Sequence, residues 1–288
     1  MVDSPNSTIK LSSRVSAIKT DTFSGDPQVT ITISTDPAPL RFDEVVVAVP
    51  LGCLKKSHIS FDPPLLPAIT KAVEQASISS FEKIYLAFSA PWWDGPDEVS
   101  EQGPCFVHYL TPKYLPDGQP AYSMEIVTLS SKKVFGKHSQ PMVFMQTYGE
   151  CAAHIIAMLR PHDRHSPEYL AILSRFFKPY LALLPHYDTK NPTCLPIAAV
   201  STAWLDDELG GFGSYTNFKT SNTKPGEIVL DDNVRSMREG EPDRGLWFAG
   251  EHVAPFVALG TTTGAYWSGE CVAMRIAAAH GMAGDVKA

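Results

Sequence analysis

The apolar and polar positions of this chain follow two different rhythms. "VTITIS" (Val29 to Ser34) alternates with period two, the pattern of a half-buried strand. "DEVVVAVP" (Asp43 to Pro50) is instead a continuous β-branched run, which predicts a strand covered on both faces and closed by Pro50 and Gly52. "PPLLPAITKAVEQAS" predicts a helix, and "FEKIYLAFSAPWW" (Phe81 to Trp93) a strand that leaves through a Pro/Trp/Gly loop. On that strand Ile84, Leu86 and Phe88 share one face, and Lys83 falls on the other with Tyr85 and Ala87.

From Pro91 to about Gln140, prolines, glycines and aromatics separate brief strand-like pieces, "CFVHYL" and "AYSMEIVTL" among them. The apolar run "PMVFMQTY" follows, then two amphipathic helices over roughly 149–160 and 166–184, then "PIAAVSTAW" as a further strand before "LGGFGSYTNF". The closing segment "GLWFAGEHVAPFVALGTTTGAYWSGECVAMRIAA" (Gly245 to Ala278) carries a strand into Gly250-Glu251 and a helix that starts near Thr261. Open α/β sheets present ligand sites at such strand ends. The expected fold class is α/β plus α+β. Residues 1–60 and 205–288 form one domain, a sheet built from both chain ends, and 61–204 an inserted α+β domain.

Composition removes several classes of function. The 288 residues are 44% hydrophobic and 19% charged, an ordinary globular balance, and show no internal repeat. A net charge of −7 and a pI near 5.7 argue against direct nucleic-acid or anionic-membrane binding. Cys53, Cys105, Cys151, Cys194 and Cys271 make no CxxC pair, so neither a metal site nor a disulfide framework is expected. "MVDSPNSTIK" lacks a basic and an apolar leader region, which leads to the expectation of an intracellular protein, cytoplasmic or peroxisomal, without a membrane span. Asn6-Ser7-Thr8 is a glycosylation sequon by pattern alone. HExxH, GxSxG and Walker motifs are absent, and "GFGSYT" (Gly211 to Thr216) lacks the third glycine of a G-x-G-x-x-G turn.

Four blocks in order carry a resemblance. "FDEVVVAVPLGCLK", "FEKIYLAFSAPWW", "WLDDELGGFGSYT" and "LWFAGEHVAPFVALGTTTGAYWSGE" resemble the carboxyl-terminal part of the flavin-dependent amine oxidases, polyamine oxidases above all. The resemblance implies a partial, Rossmann-like FAD-binding sheet with an inserted substrate domain. It implies oxidation of an amine by hydride transfer to flavin N5, imine hydrolysis, and reduction of oxygen to hydrogen peroxide. Lys83 matches the lysine that holds a water against N5; without the resemblance it would read as a solvated edge lysine. Tyr215 matches one wall of the amine cage, and Thr261 stands at the second wall, where monoamine oxidases have tyrosine and histone-demethylating relatives have threonine.

Cofactor-facing positions by the same resemblance are Val15, Trp204, Gly250, Glu251, Thr261 and Thr262. Glu251 would accept hydrogens from the ribityl hydroxyls. The threonines 261–263 would cap the helix, Gly264 and its small neighbours would leave the backbone approachable, and an amide near Thr262 would face the charge that develops on the flavin. A small-molecule amine is the expected partner. A first βαβ unit with a glycine-rich turn is missing from this sequence, so the chain alone is expected to bind FAD weakly and to associate through an exposed sheet edge. Two alternatives stay open: an amino-acid oxidase or desaturase on the same fold, which for an α-carboxylate requires a pocket arginine, and a catalytically silent fragment or interaction module.

Ser214 stands where monoamine oxidases carry the cysteine that tethers flavin, and serine forms no thioether. Denaturing and filtering a flavin-loaded preparation is therefore expected to release free FAD; flavin retained on the polypeptide would contradict noncovalent attachment.

Overall fold

A computed structural model describes residues 7–21, 28–94, 106–110, 122–218 and 229–282. Asn6 of the sequon and Cys105 at the head of "CFVHYL" lie outside the described residues. The chain opens with β1 (Val15–Asp21), β2 (Gln28–Ile33), β3 (Asp36–Phe42), β4 (Val45–Val47), α1 (Leu51–Lys55), β5 (Ser60–Asp62), α2 (Pro67–Gln75) and β6 (Ala76–Ser79). It continues through β7 (Phe81–Ala87), β8 (Phe106–Tyr109), β9 (Met124–Thr128), α3 (Lys132–Phe135), β10 (Met142–Tyr148), α4 (Gly149–Leu159), α5 (Pro167–Leu181) and β11 (Ala198–Ser201). β12 (Tyr215–Phe218), α6 (Val229–Glu239), β13 (Leu246–Phe248) and α7 (Thr262–Ala279) complete it. The architecture is mixed α/β with several sheets, divided into two compact units, Met1–Ile78 with Glu208–Ala288 and Ser79–Asp207.

In the first unit, β3-β2-β1-β5 form one sheet, antiparallel except for the parallel β1–β5 pair. β4 pairs in parallel with β13, Val46 opposite Trp247, and β6 pairs with β12. The apolar positions of α2 that are buried, Ile69, Ala72 and Val73, recur at helical spacing and meet Leu51, Met237, Leu246 and Phe248. Burial of each large apolar side chain contributes about 1.5–3 kcal/mol.

The second unit is a five-stranded antiparallel sheet in the order β11-β7-β10-β9-β8. Ile84 and Leu86 of β7, Val143 and Met145 of β10 and Ile126 of β9 are fully buried on one face. α4 and α5 contribute Ile155, Leu173 and Phe177 to the same core. Lys83, Tyr85, Phe144 and Gln146 have the opposite parity and are only partly buried.

Three departures from the sequence pattern have physical reasons. β4 is three residues long and Val46 is 43% exposed, so the valine run is not covered on both faces; the pairing described for it is with β13 alone. β3 carries Pro37 and Pro39, which argue against a strand by pattern, yet it lies at the edge of its sheet, where proline is tolerated. No element is expected over α6 because the segment is polar overall, although its few apolar positions recur with a clear helical period.

α7 begins where Thr261 caps it, Thr261 Oγ1 accepting from Gly264 N at 2.9 Å. The backbone at Gly264 is already approached by protein: a Cβ there would lie 2.0 Å from the Ala258 carbonyl oxygen and 2.8 Å from Ala254 Cβ. Gly269, on the same helix, has nothing within 4 Å of an added Cβ. Gly264→Ala is expected to destabilise the chain by on the order of 1–3 kcal/mol, while Gly269→Ala stabilises it by about 0.5–1 kcal/mol through helix propensity. Urea unfolding of the two variants checks this, and equal midpoints would refute the packing account.

Candidate active site

Each unit gathers part of the proposed machinery. In the first unit, β13 ends at Phe248 and Gly250 turns the chain at φ 134°, a conformation reserved for glycine. A side chain at Gly250 would also meet the His252 ring, whose Cε1 lies 2.8 Å from the position of an added Cβ. Gly250 N donates to Ser268 Oγ at 2.8 Å, which ties the strand end to α7. Glu251 follows, and its carboxylate accepts from Thr216 Oγ1 at 2.5 Å and from Thr216 N at 3.2 Å. The carboxylate was read from sequence as awaiting a ligand. In the fold it already has donors from β12.

Thr216 brings Tyr215 with it. A Cβ placed on Gly260 would meet Tyr215 Cδ2 at 3.0 Å, so the ring lies against the Gly260 backbone, next to Thr261. Thr261 is engaged in both directions: Oγ1 donates to Ala258 O at 2.7 Å and accepts from Gly264 N. It therefore offers a cage its methyl group, not a free hydroxyl. Thr262 is exposed in the first turn of α7. Val15 opens β1 and packs, partly buried, on the core of this unit. Tyr215, Glu251, Gly250, Thr261 and Thr262 thus belong to one neighbourhood, and Val15 is held to it by no described contact.

In the second unit Lys83 and Trp204 are linked by a buried carboxylate that the motif reading passed over. Glu82 is 0% exposed; it accepts from Thr202 Oγ1 at 2.5 Å and from Leu205 N at 3.0 Å. Thr202 in turn grips Lys83, its Oγ1 accepting from Lys83 N and its own N donating to Lys83 O, both at 2.9 Å. The sequence did hold a signal, because Glu82 has the parity of Ile84, Leu86 and Phe88, and a carboxylate on that face must find donors. Lys83 Nζ makes no ion pair among the described residues and sits 5.7 Å from the centroid of the Phe81 ring.

Trp204 is 40% exposed and lines an open groove of about 480 Å³ with Tyr85, Val200, Thr202, Arg164 and Asp206. Arg160 fixes this wall by a two-pronged bond to Asp206, 2.9 Å from Nε and 2.6 Å from Nη2. Arg164, which lies in the turn between α4 and α5 and reads from sequence as a surface residue, faces the same groove.

Two adjacent side chains of the first unit respond oppositely to burial. Desolvation raises the Glu251 carboxyl above its ordinary 4.5, opposed by the Thr216 hydrogen bonds. Desolvation lowers His252 from 6.5 to about 4, and His252 Nε2 has no hydrogen-bond partner. In both cases burial penalises the charged form.

The family profile described as flavin containing amine oxidoreductase matches residues 1–277. The chain belongs to that family. It is 28% identical to human lysine-specific histone demethylase 2 over 273 residues, covering 94% of this chain and 28% of that protein. It is 32% identical to the rice (Oryza sativa subsp. japonica) lysine-specific histone demethylase 1 homolog 1 over 232 residues, 76% of this chain and 22% of that one. A putrescine oxidase structure, wild type bound to putrescine, aligns with a TM-score of 0.60 at 18% identity, covering 92% of this chain and 48% of that chain. The chain thus spans less than a third of the length of these demethylases. This amine oxidoreductase family is FAD-dependent.

The site electrostatics set a pH dependence. Buried His252 stays neutral in the folded chain while the unfolded chain binds a proton below about 6.5, so its contribution is full above 6.5 and lost as pH falls through about 4. Glu251 acts in the opposite sense, its contribution present below 4.5 and lost as pH rises through its raised folded value. His252→Phe is expected to flatten the loss of stability between pH 6.5 and 4, removing a slope of up to about 1.4 kcal/mol per pH unit. Thermal melts across that range check it; an unchanged slope would show that protonation of His252 does not drive the loss of stability.

Proposed function

We propose that this chain serves the oxidation of an amine, a polyamine or another primary or secondary amine, with noncovalently held FAD as cofactor and oxygen as the final acceptor, giving hydrogen peroxide. The observation that carries the reading is the Glu251 neighbourhood: a partly desolvated carboxylate at a strand end, fixed by Thr216, beside the capped amino-terminus of an 18-residue helix. In this reading β4, β13 and α7 are part of a Rossmann-like FAD-binding sheet.

The residues present suit that cofactor. Glu251 retains acceptor capacity beyond Thr216, since a carboxylate offers about four lone-pair sites, and can receive ribityl hydroxyls. The first turn of α7, with Thr262 exposed, turns a positive pole toward negative charge. Ser214 leaves the cofactor untethered. When bound, FAD supplies the two-electron acceptor. The remaining work falls to this chain. In the first unit Tyr215 offers a ring and Thr261 a methyl group to an amine; in the second, Trp204 covers apolar surface and the Lys83 ammonium orients water or oxygen. The edge of β4 that is not paired with β13 among the described residues is where association with a further strand would occur.

A second reading, oxidation of an amine that bears a carboxylate, has one observation in its favour. Arg164 makes no ion pair among the described residues and lines the groove beside Trp204 and Tyr85, where a guanidinium could pair with a carboxylate. Supplying amines and amino acids in parallel separates the two readings.

Lys83→Met is expected to leave folding intact, because the bonds at Lys83 with Thr202 are made by its backbone, and to slow turnover of the FAD-loaded protein by on the order of 10²-fold. The defect should be largest when the reduced protein is mixed with oxygen. Unchanged rates in both half-reactions would make Lys83 a solvated edge residue, and a chain that neither binds FAD nor consumes oxygen with any amine would favour the silent fragment.

A further inference from the structure

The open face of the five-stranded sheet carries a polar row between aromatic pairs. The register sets Lys83 of β7 opposite Gln146 of β10, Gln146 opposite Glu125 of β9, and Glu125 opposite His108 of β8. Tyr85 and Phe144 stack on one side of that row, centroids 4.9 Å apart and planes at 21°. Phe81 and Tyr148 stack on the other, at 5.0 Å and 22°. Gln146 Oε1 accepts from the Tyr148 hydroxyl at 2.9 Å. His108 Nδ1 lies 3.2 Å from Glu125 Oε1, and the Glu125 side chain keeps 28% of its exposure. A cation and a carboxylate therefore flank Gln146 on one face, their strands two spacings apart, roughly 10 Å.

We propose that Glu125 is a specificity-determining residue that anchors a second, cationic amino group of the substrate, so that this face selects diamines over monoamines. The inference rests on the amine-oxidation reading above. An amine must be uncharged at the nitrogen whose neighbouring carbon is oxidised. A nitrogen beside Lys83 is driven toward that form, because a nearby cation disfavours a second positive charge. A nitrogen at Glu125 is driven the other way, since the carboxylate favours the ammonium. The face thus imposes opposite protonation states on the two ends of one diamine, a distinction that a monoamine cannot exploit. The stacked rings suit the methylenes between the two ends and tolerate a passing cation on their faces. His108 holds the carboxylate in its row and leaves the second oxygen for the ligand.

Putrescine and butylamine differ by the second amino group alone, and titrating each into the 288-residue chain by calorimetry at low ionic strength tests the assignment without turnover. Wild type is expected to bind putrescine about tenfold tighter, 1.4 kcal/mol. Glu125→Gln should bring putrescine to the level of butylamine, and Glu125→Asp should keep part of the preference. Equal binding of the two amines by wild type, or a preference that survives in Glu125→Gln, overturns the proposal; the wild-type comparison decides even where the Gln variant fails to fold. FAD fluorescence in the same samples reports on the flavin reading separately. A preference lost in Glu125→Gln upholds the assignment whether or not FAD binds in those samples, since the chain alone is expected to hold FAD weakly.

Discussion

A carboxylate taken out of water must be met by donors, and in this chain the donors come from far along the sequence. Glu82, fully buried on β7, is met by Thr202 and by the amide of Leu205. Glu241, 4% exposed, accepts from Leu66 N at 3.0 Å and from Arg244 Nη1, while Arg244 itself reaches Thr20 Oγ1 and the carbonyl of Pro63. Glu251 is met by Thr216. The Glu82 and Glu251 bonds each tie a strand to a segment distant in sequence, and the Glu241 bond to Leu66 N joins the turn before β13 to the start of α2. Removing one partner would leave a desolvated charge, which is far more destabilising than the loss of a surface ion pair.

Those anchored segments are where the proposed chemistry is placed. Residues 202–206 hold Trp204 and Asp206 with a single short 3-10 turn between them, and residues 249–261 likewise lack a long helix or strand. Loops of this kind carry function because a rigid scaffold positions them. Here the scaffold acts through side-chain carboxylates and through backbone closeness at Gly250 and Gly264, which keep the Tyr215 ring at the head of β12, the Glu251 carboxylate and the α7 cap together.

Much of the strand and helix layout was legible because the apolar period reports burial directly. The alternation over Phe81 to Phe88 separates the Ile84 face from the Lys83 face as the structure does, and the helices around 149–160 and 166–184 appear as α4 and α5. The valine run of β4 misled because composition reports what a strand can bury, whereas coverage depends on which neighbours pair with it. Motifs named Glu251, Thr261 and Lys83 but gave no partners. Thr216 and Thr202 are unremarkable in sequence, since a hydrogen bond between residues 35 or 120 positions apart leaves no local trace, and the parity of Glu82 signals a buried carboxylate without naming its donors.

Glu251 and Thr216 connect that hidden partnership to chemistry. Burial pushes the carboxyl toward its protonated form, and a protonated Glu251 would be an O–H donor as well as an acceptor, a poor match for the hydroxyls of a sugar-like chain. The Thr216 hydroxyl and amide pull the other way, because donors to the charged form favour it. The positive pole of α7, whose cap at Thr261 follows Gly260 against the Tyr215 ring, works in the same direction. His252 next door stays neutral under the same desolvation and adds no competing charge. The Thr216 contacts made by β12 therefore oppose the effect of burial on this acceptor, and in the flavin reading they are as much a part of cofactor binding as Glu251 itself.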